Sequence, residues 1–186
     1  KEAVLQSVND LHIEAGVSAA LHGSIKSEQE IIRNLIRHQA AFYNIDELGL
    51  FLRKLNMSHK SGGASYLQGV IAMLMTAYSK ASGNLMISGD AREDFKTDLV
   101  REYSMLNKRL EDGENAQIQA RMDAITELLN NIDNGLPNPF LSMIGFSTPS
   151  TFNESVSFEQ ITSGFIGRSI IINEPDTNPK RKRGFI

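Results

Sequence analysis

The chain has 186 residues, a hydrophobic content of 41% and a formal net charge of −3. This length suits one domain with a complete core, and the hydrophobic content excludes a disordered segment. The absence of cysteine excludes disulfides and thiolate metal sites and favours a reducing, cytoplasmic environment. No apolar run approaches the ~20 residues of a membrane span and no signal-peptide pattern opens the chain, so we expect no membrane partner.

The N-terminal part of the chain predicts a helix, a strand and a second helix. Apolar residues recur at helical spacing over residues 1–15, and Gly16 is well placed to end that helix. Residues 17–21 form a short apolar run and a candidate strand. Ser27 is the expected N-cap of the second helix, because acidic residues follow in its first turn.

The segment AAFYNIDE, residues 40–47, is an apolar run that ends in Asp46 and Glu47. It predicts a buried strand whose carboxyl end lies at the edge of an open α/β sheet where ligands bind. Nucleotide hydrolases need one acid there to hold Mg²⁺ and a second to polarise the attacking water. The pattern is that of a Walker B strand and makes a P-loop ATPase the leading hypothesis. The alternative is an ordinary strand that ends in solvated carboxylates.

The order helix, strand, helix, strand implies parallel strands in a layered α/β sheet flanked by helices. Downstream, the pattern predicts a helix, a polar loop, a buried helix and a short strand, at residues 48–55, 56–65, 66–79 and 84–87.

Residues 91–130 predict an antiparallel helical hairpin, docked to the sheet domain or projecting from it. Its helices, 91–110 and 114–130, carry apolar residues at three- and four-residue steps and meet at Asp112-Gly113. Acids are interspersed among its basic residues, which favours an ordinary solvated face over a DNA contact.

The C-terminal part predicts two further strands. Residues 140–146 form an apolar run followed by Ser147 and Thr148, and residues 169–172 are expected to close the sheet. Residues 180–186 form a tail or linker that contains the basic run KRKR. Such a run can contact phosphates but is more often solvated.

Three segments together resemble the RecA-like ATPase domains of phage, plasmid and bacterial primase-helicases. These are IDELGLFL at 45–52, NPFLSMIGFSTP at 138–149, and SGFIGR at 163–168, with EPD following at 174–176. The resemblance covers residues 1–179 apart from the hairpin, which is then an insertion. It implies a RecA-like layered parallel sheet as the fold.

The resemblance also implies roles for individual side chains. Asp46 would coordinate Mg²⁺ and Glu47 would activate water for attack on ATP, while Ser147 or Thr148 would sense the γ-phosphate. Arg168 would act as an arginine finger toward a neighbouring subunit. The alternatives are a structural arginine at 168 and a simple turn and helix start at the Ser-Thr-Pro sequence.

The glycine-rich loop that cradles phosphates in P-loop ATPases is absent from this sequence. By resemblance, Lys1 would be the last lysine of such a loop, or it is only the first residue of a helix. Glu2 departs from the family's Mg²⁺-binding Ser or Thr, which puts the nucleotide site of this sequence in doubt.

The implied function is ATP-driven helicase or translocase activity in DNA replication of a phage, plasmid or bacterial mobile element. The expected partners are single-stranded or duplex DNA and further copies of the chain in a homo-oligomer, such as a hexameric ring. Residues 56–65 would then form a loop that faces the channel of the ring. One rival is a non-catalytic replication or interaction module whose hairpin carries a protein partner. A second rival is a small-molecule enzyme of doubly wound fold, for which the sequence offers no substrate-specific motif.

Overall fold

The computed structural model describes residues 2–60, 67, 69–87, 89–111, 116–162 and 164–173. Lys1 and the tail predicted at 180–186 lie outside these residues. The strands are β1 (Leu21–His22), β2 (Ala40–Ile45), β3 (Asn84–Leu85), β4 (Leu136–Pro137) and β5 (Phe140–Gly145). Three of them form a parallel sheet in the order β1-β2-β5, and β3 and β4 form a separate antiparallel ribbon.

Helices occupy most of the remaining described chain. They are α1 (Glu2–Glu14), α2 (Glu28–His38), α3 (Leu48–Lys60), α4 (Val70–Ser79), α5 (Asp90–Glu111), α6 (Ala116–Asn134), α7 (Pro149–Ser155) and α8 (Phe158–Thr162). Short 3-10 turns span Ser18–Ala20 and Ile166–Arg168. The predicted α/β class with a parallel sheet is therefore confirmed.

The central strand β2 is covered on both faces. On one face, Asn44 donates to Asn9 of α1 at 3.0 Å, and the rings of Phe42 and His12 lie 4.3 Å apart. On the other face, the Tyr43 hydroxyl accepts from Asn34 of α2 at 3.2 Å. Because the later residue of α1 meets the earlier residue of β2, α1 runs antiparallel to the strands and begins at their carboxyl edge.

Helix α2 has the local structure that its sequence predicts. The Ser27 hydroxyl accepts from the backbone N–H of Glu30 at 3.1 Å, which confirms the N-cap. The Glu30 carboxylate accepts from the backbone N–H of Lys26 at 2.7 Å and satisfies a second donor. The helix buries one apolar face, formed by Ile31, Ile32, Leu35 and Ile36.

Helices α5 and α6 form the predicted antiparallel hairpin. The first turns of α5 meet the last turn of α6 where Arg92 and Lys96 both bind Asp133 at 2.8 Å. Further along, Arg121 pairs with Glu102 at 2.7 Å. These exposed ion pairs stabilise the hairpin only modestly, but they fix its antiparallel register.

The hairpin is docked on the sheet domain. Its residues Phe95, Leu99, Ile125 and Ile132 are buried in the same core as α2 and β2. The guanidinium of Arg37 of α2 lies 5.4 Å from the Phe95 ring centroid, within the range of a cation–π contact. The β3–β4 ribbon closes the base of the hairpin where the chain enters and leaves it.

Three predicted elements differ in the structure. Residues 17–21, predicted as a strand, mostly form a 3-10 turn. Only Leu21 belongs to a strand, because the pairing with β2 begins at this residue. Residues 56–60, predicted as the start of a loop, continue α3, and the rest of that prediction, 61–65, lies outside the described residues. Residues 169–172 form no strand, since within the described chain no strand lies beside them to pair with.

Candidate functional site at the carboxyl edge of the sheet

The carboxyl ends of β2 and β5 lie side by side, as expected for neighbouring parallel strands. The N–H of Phe146 donates to the carbonyl of Ile45 at 3.0 Å, and the N–H of Leu48 donates to the carbonyl of Phe146 at 2.7 Å. The two strands thus bring the Asp46-Glu47 pair next to the turn that carries Ser147. This juxtaposition joins residues about 100 positions apart in sequence.

Two glycines allow this close approach. A Cβ on Gly49 would lie 2.5 Å from the Ser147 hydroxyl oxygen and 2.7 Å from a Thr151 methyl group. A Cβ on Gly145 would lie 2.9 Å from Cβ of Leu48. The first turn of α3, which directly follows the acids, is therefore packed against the end of β5 without space for a side chain.

Asp46 and Glu47 lie in the turn between β2 and α3 and are exposed to solvent. Within the described residues, no group of three or more His, Asp or Glu side chains could hold a metal ion by itself. Mg²⁺ in nucleotide sites is held by one or two carboxylates together with substrate phosphates and water. Asp46, exposed at this sheet edge, is a side chain that could serve as such a carboxylate ligand.

Thr148 caps helix α7. Its hydroxyl oxygen accepts from the N–H of Thr151 at 3.2 Å and lies 2.7 Å from the Thr151 hydroxyl, and Pro149 follows at the first helical position. The alternative interpretation of this sequence as a helix start is confirmed. Ser147, whose hydroxyl donates to the carbonyl of Thr148 at 3.2 Å, is half-buried and faces the glycine-lined contact described above.

Arg168 is exposed and held by local contacts. Its guanidinium donates to the carbonyl of Gly164 at 3.2 Å and lies 5.5 Å from the ring centroid of Tyr78 in α4. These contacts support a structural role for the side chain. It also lines the same groove as Ser147 and Thr148, so the structure groups three of the predicted site residues around one groove.

This groove has a volume of about 740 Å³ and lies beside β5. Its floor and walls come from the β5 residues Leu141 and Met143 and from apolar side chains of α3, α4, α7 and the turn after α8. Residues 169–173 also line the groove, and Ile170, Ile171 and Ile172 in this segment are exposed. Arg168 is the single charged residue among those that line it in the described chain.

The fit to the phosphates of ATP is incomplete. No glycine-rich loop occurs in the sequence, and the backbone N–H groups that would cradle phosphates are therefore not supplied by these residues. Lys1 lies outside the described residues. The acidic pair is compatible with a metal ligand at this edge, but the described residues around it supply no phosphate-binding loop.

Sequence reasoning missed a buried polar network behind the site. Asn56 donates to the carbonyl of Ser155 at 2.6 Å and accepts from Gln160 at 3.1 Å, and Gln160 is 1% exposed. Gln160 also accepts from the N–H of Ser157, whose hydroxyl accepts from the N–H of Gln160. This is a capping box, and its Ser-x-x-Gln spacing was a signal that the sequence offered.

Asn56 therefore has a structural role at the α3–α7 contact. The prediction that it opens a channel-facing loop is wrong for residues 56–60, which are helical. A buried side chain amide that joins two elements is costly to remove, because its partners stay desolvated.

Two histidines lie on the other side of the sheet, near β1 and α2. Burial lowers the pKa of His22, an effect that nearby Glu30 opposes. Burial also lowers the pKa of His38, and the nearby His22 and Arg37 act in the same direction. Burial raises the pKa of Tyr43 to about 12, so its hydroxyl stays neutral and its ring packs 5.3 Å from that of His22.

None of the helices in the described part of the chain combines the length and the apolar character needed to cross a membrane. The chain matches no family model, no curated protein and no solved structure.

Proposed function

We propose that this chain is the RecA-like core of an ATP-hydrolysing helicase or translocase that acts in DNA replication of a phage, plasmid or bacterial mobile element. One observation carries the proposal: two acids follow the central parallel strand and lie beside a hydroxyl-bearing turn at the end of the next strand. This is the sheet edge at which open α/β proteins bind ligands.

In the proposed reaction, Asp46 would hold Mg²⁺, and the ion would supply positive charge to neutralise the phosphates of ATP. Glu47 accepts a hydrogen bond from the attacking water and orients it toward the γ-phosphate. Ser147 would donate a hydrogen bond to the γ-phosphate at the same edge of the sheet. Arg168, which lines the groove, would have to leave its contacts with Gly164 and Tyr78 to stabilise negative charge on the nucleotide of a neighbouring copy in a homo-oligomeric ring, such as a hexamer.

The proposal includes single-stranded or duplex DNA as a partner and a cytoplasmic location. The support for DNA is the resemblance to primase-helicases alone, and three basic residues of the hairpin, Arg92, Lys96 and Arg121, are already paired with its acids.

The test is ATP hydrolysis by the full-length protein that contains these residues, with and without single-stranded DNA. Glu47→Gln keeps the shape of the side chain but removes the carboxylate, and we expect hydrolysis to fall by roughly 100-fold or more. Glu127→Gln, on the exposed face of α6, is the matched control and should retain hydrolysis. Equal hydrolysis by both variants would contradict the role of Glu47.

A non-catalytic interaction module is the second candidate, and the hairpin supports it. Beyond its docked base, α5 exposes the apolar side chains Val100, Tyr103 and Met105, which are 48%, 37% and 55% exposed. Exposed apolar side chains of this kind suit a protein partner. Neither binding nor hydrolysis of ATP by the full-length protein would exclude the ATPase and leave this candidate.

A further inference from the structure

A pair of amide side chains joins helix α1 to the central strand of the sheet. Asn44, the fifth residue of β2, donates from Nδ2 to Oδ1 of Asn9 at 3.0 Å. Asn44 is 9% exposed, and its own Oδ1 is buried and accepts no hydrogen bond within the described residues. The strand sequence is AAFYNI, in which no other residue has an amide or charged side chain. A half-satisfied amide therefore lies in an otherwise apolar part of the strand.

The stability of the fold alone does not explain this amide pair. An amide oxygen that is buried without a donor carries a desolvation cost, whereas replacing both members of a hydrogen-bonded pair by apolar side chains is nearly neutral or stabilising. In packed helices, a buried polar residue of this kind specifies the register at a cost in stability. The amide pair has the features of such a register-setting contact.

Helix α1 needs such a contact because its apolar packing is weak. None of its thirteen residues is buried, and Val4 and Leu11 are 47% and 64% exposed. Apolar contacts are not directional and allow a helix to slide along a sheet. A hydrogen bond holds only over a narrow range of distance and angle. The bond between Asn9 and Asn44 therefore determines how far α1 extends along β2.

We propose that Asn9 and Asn44 are positioning residues, which set the register of α1 on β2 and thereby the distance between the first turn of α1 and Asp46. Asn44 lies two residues before Asp46, about 7 Å along a strand. Asn9 lies seven residues after Glu2, about 10 Å along a helix. Both spans lead to the carboxyl edge of the sheet, so a slip of α1 by one turn moves its start by about 5.4 Å relative to the acids. The effect on hydrolysis rests on the proposed function, whereas the register itself does not.

Four variants separate positioning from a merely structural role. Asn9→Leu combined with Asn44→Leu replaces the whole amide pair by apolar side chains and should keep the Tm within about 2 °C of the parent or raise it. Asn9→Ala, at a half-buried position, removes only the acceptor. Asn9→Asp is the conservative variant, because its carboxylate still accepts from Asn44. Val4→Ala, on the exposed side of α1, is the matched control.

The ring contact between His12 and Phe42 reports the register directly. Their centroids lie 4.3 Å apart, so the nuclear Overhauser effect between the two rings should be strong in the parent, in Val4→Ala and in Asn9→Asp. A slip by one turn carries His12 about 5.4 Å along the strand. We therefore expect the signal to be lost in Asn9→Ala and in the folded double-leucine variant.

A signal of parental strength in Asn9→Ala would overturn the proposal, even if the double-leucine variant did not fold. Loss of the signal in Asn9→Asp as well would also overturn it, since the acceptor is then not what holds the helix. These measurements need no nucleotide, so they are independent of the proposed function.

Hydrolysis of ATP by the full-length protein tests the consequence of the register. We expect the double-leucine variant to lower kcat by about tenfold or more at unchanged Tm, because catalytic geometry is sensitive to displacements of about 1 Å. Asn9→Asp should retain the kcat of the parent. Unchanged kcat in a double-leucine variant that has lost the ring signal would overturn the link to the acids. Absence of hydrolysis in the parent would instead contradict the proposed function and leave the register result standing.

Discussion

At the scale of single residues, the site depends on small side chains as much as on acids. Asp46 and Glu47 supply the chemistry of the proposed site, but Gly49 and Gly145 let α3 approach the end of β5. At Gly145 the contact is with Cβ of Leu48, an atom fixed to the backbone that cannot rotate away. A side chain there has to displace the first turn of α3 and, with it, the acids.

We therefore predict that Gly145→Ala lowers the free energy of unfolding by about 1–2 kcal/mol, the overpacking cost exceeding the entropic gain of replacing glycine. Gly23→Ala is the matched control, since a Cβ at Gly23 would meet no atom within 4 Å and its φ is not positive. Its stability should stay within about 0.5 kcal/mol of the parent. Urea denaturation followed by circular dichroism measures both, and equal midpoints would show that the α3 contact is looser than described.

At the scale of elements, the hairpin is part of the domain core. Phe95 of α5 is 1% exposed and packs beneath Arg37 of α2. Buried apolar contacts such as that of Phe95 attach the hairpin to the sheet domain, and the exposed ion pairs between α5 and α6 do not.

Phe95→Ala should therefore cost about 3–5 kcal/mol of stability, because it leaves a cavity between α5 and α2. Met105→Ala, on the same helix but 55% exposed, should change stability by no more than about 0.5 kcal/mol. Urea midpoints give the comparison, and hydrogen exchange shows which elements loosen. If both variants had the same small effect, the hairpin would be attached by contacts other than Phe95.

At the scale of the whole molecule, acid should weaken the fold in two ranges of pH. The pKa of His22 and that of His38 are lowered in the folded state, so the unfolded chain binds their protons first. Stability is then lost as the pH falls below about 6.5. A second loss follows in stronger acid, since Lys96 and Arg92 hold the pKa of Asp133 below its usual range.

The first of these ranges gives a direct prediction. The urea midpoint should be lower at pH 5.5 than at pH 7.5, and His22→Gln should reduce the difference, because glutamine has no proton to bind in this range. A midpoint that is the same at both pH values would show that neither histidine is desolvated by folding.

The central features of the fold follow from local sequence. The apolar runs at 40–45 and 140–145 predict strands because short buried runs without charge favour extended structure, and both strands are present. Ser27 and Glu30 determine the start of α2 through backbone hydrogen bonds that need no distant partner. The position of Asp46 and Glu47 after a strand follows in the same way, and it places them at a sheet edge once the strands are parallel.

Only the tertiary structure decided which segments pair and which do not. Residues 169–172 have the composition of a strand, yet they remain unpaired in the described chain, since a strand forms only where a neighbour supplies hydrogen bonds. Helix α3 extends through Asn56 because Ser155 and Gln160, about 100 residues later, satisfy its amide. The apolar pattern within a short window of sequence depends only on residues that are neighbours along the chain. The edge position of β5 and the groove beside it depend on which distant segments meet in the fold.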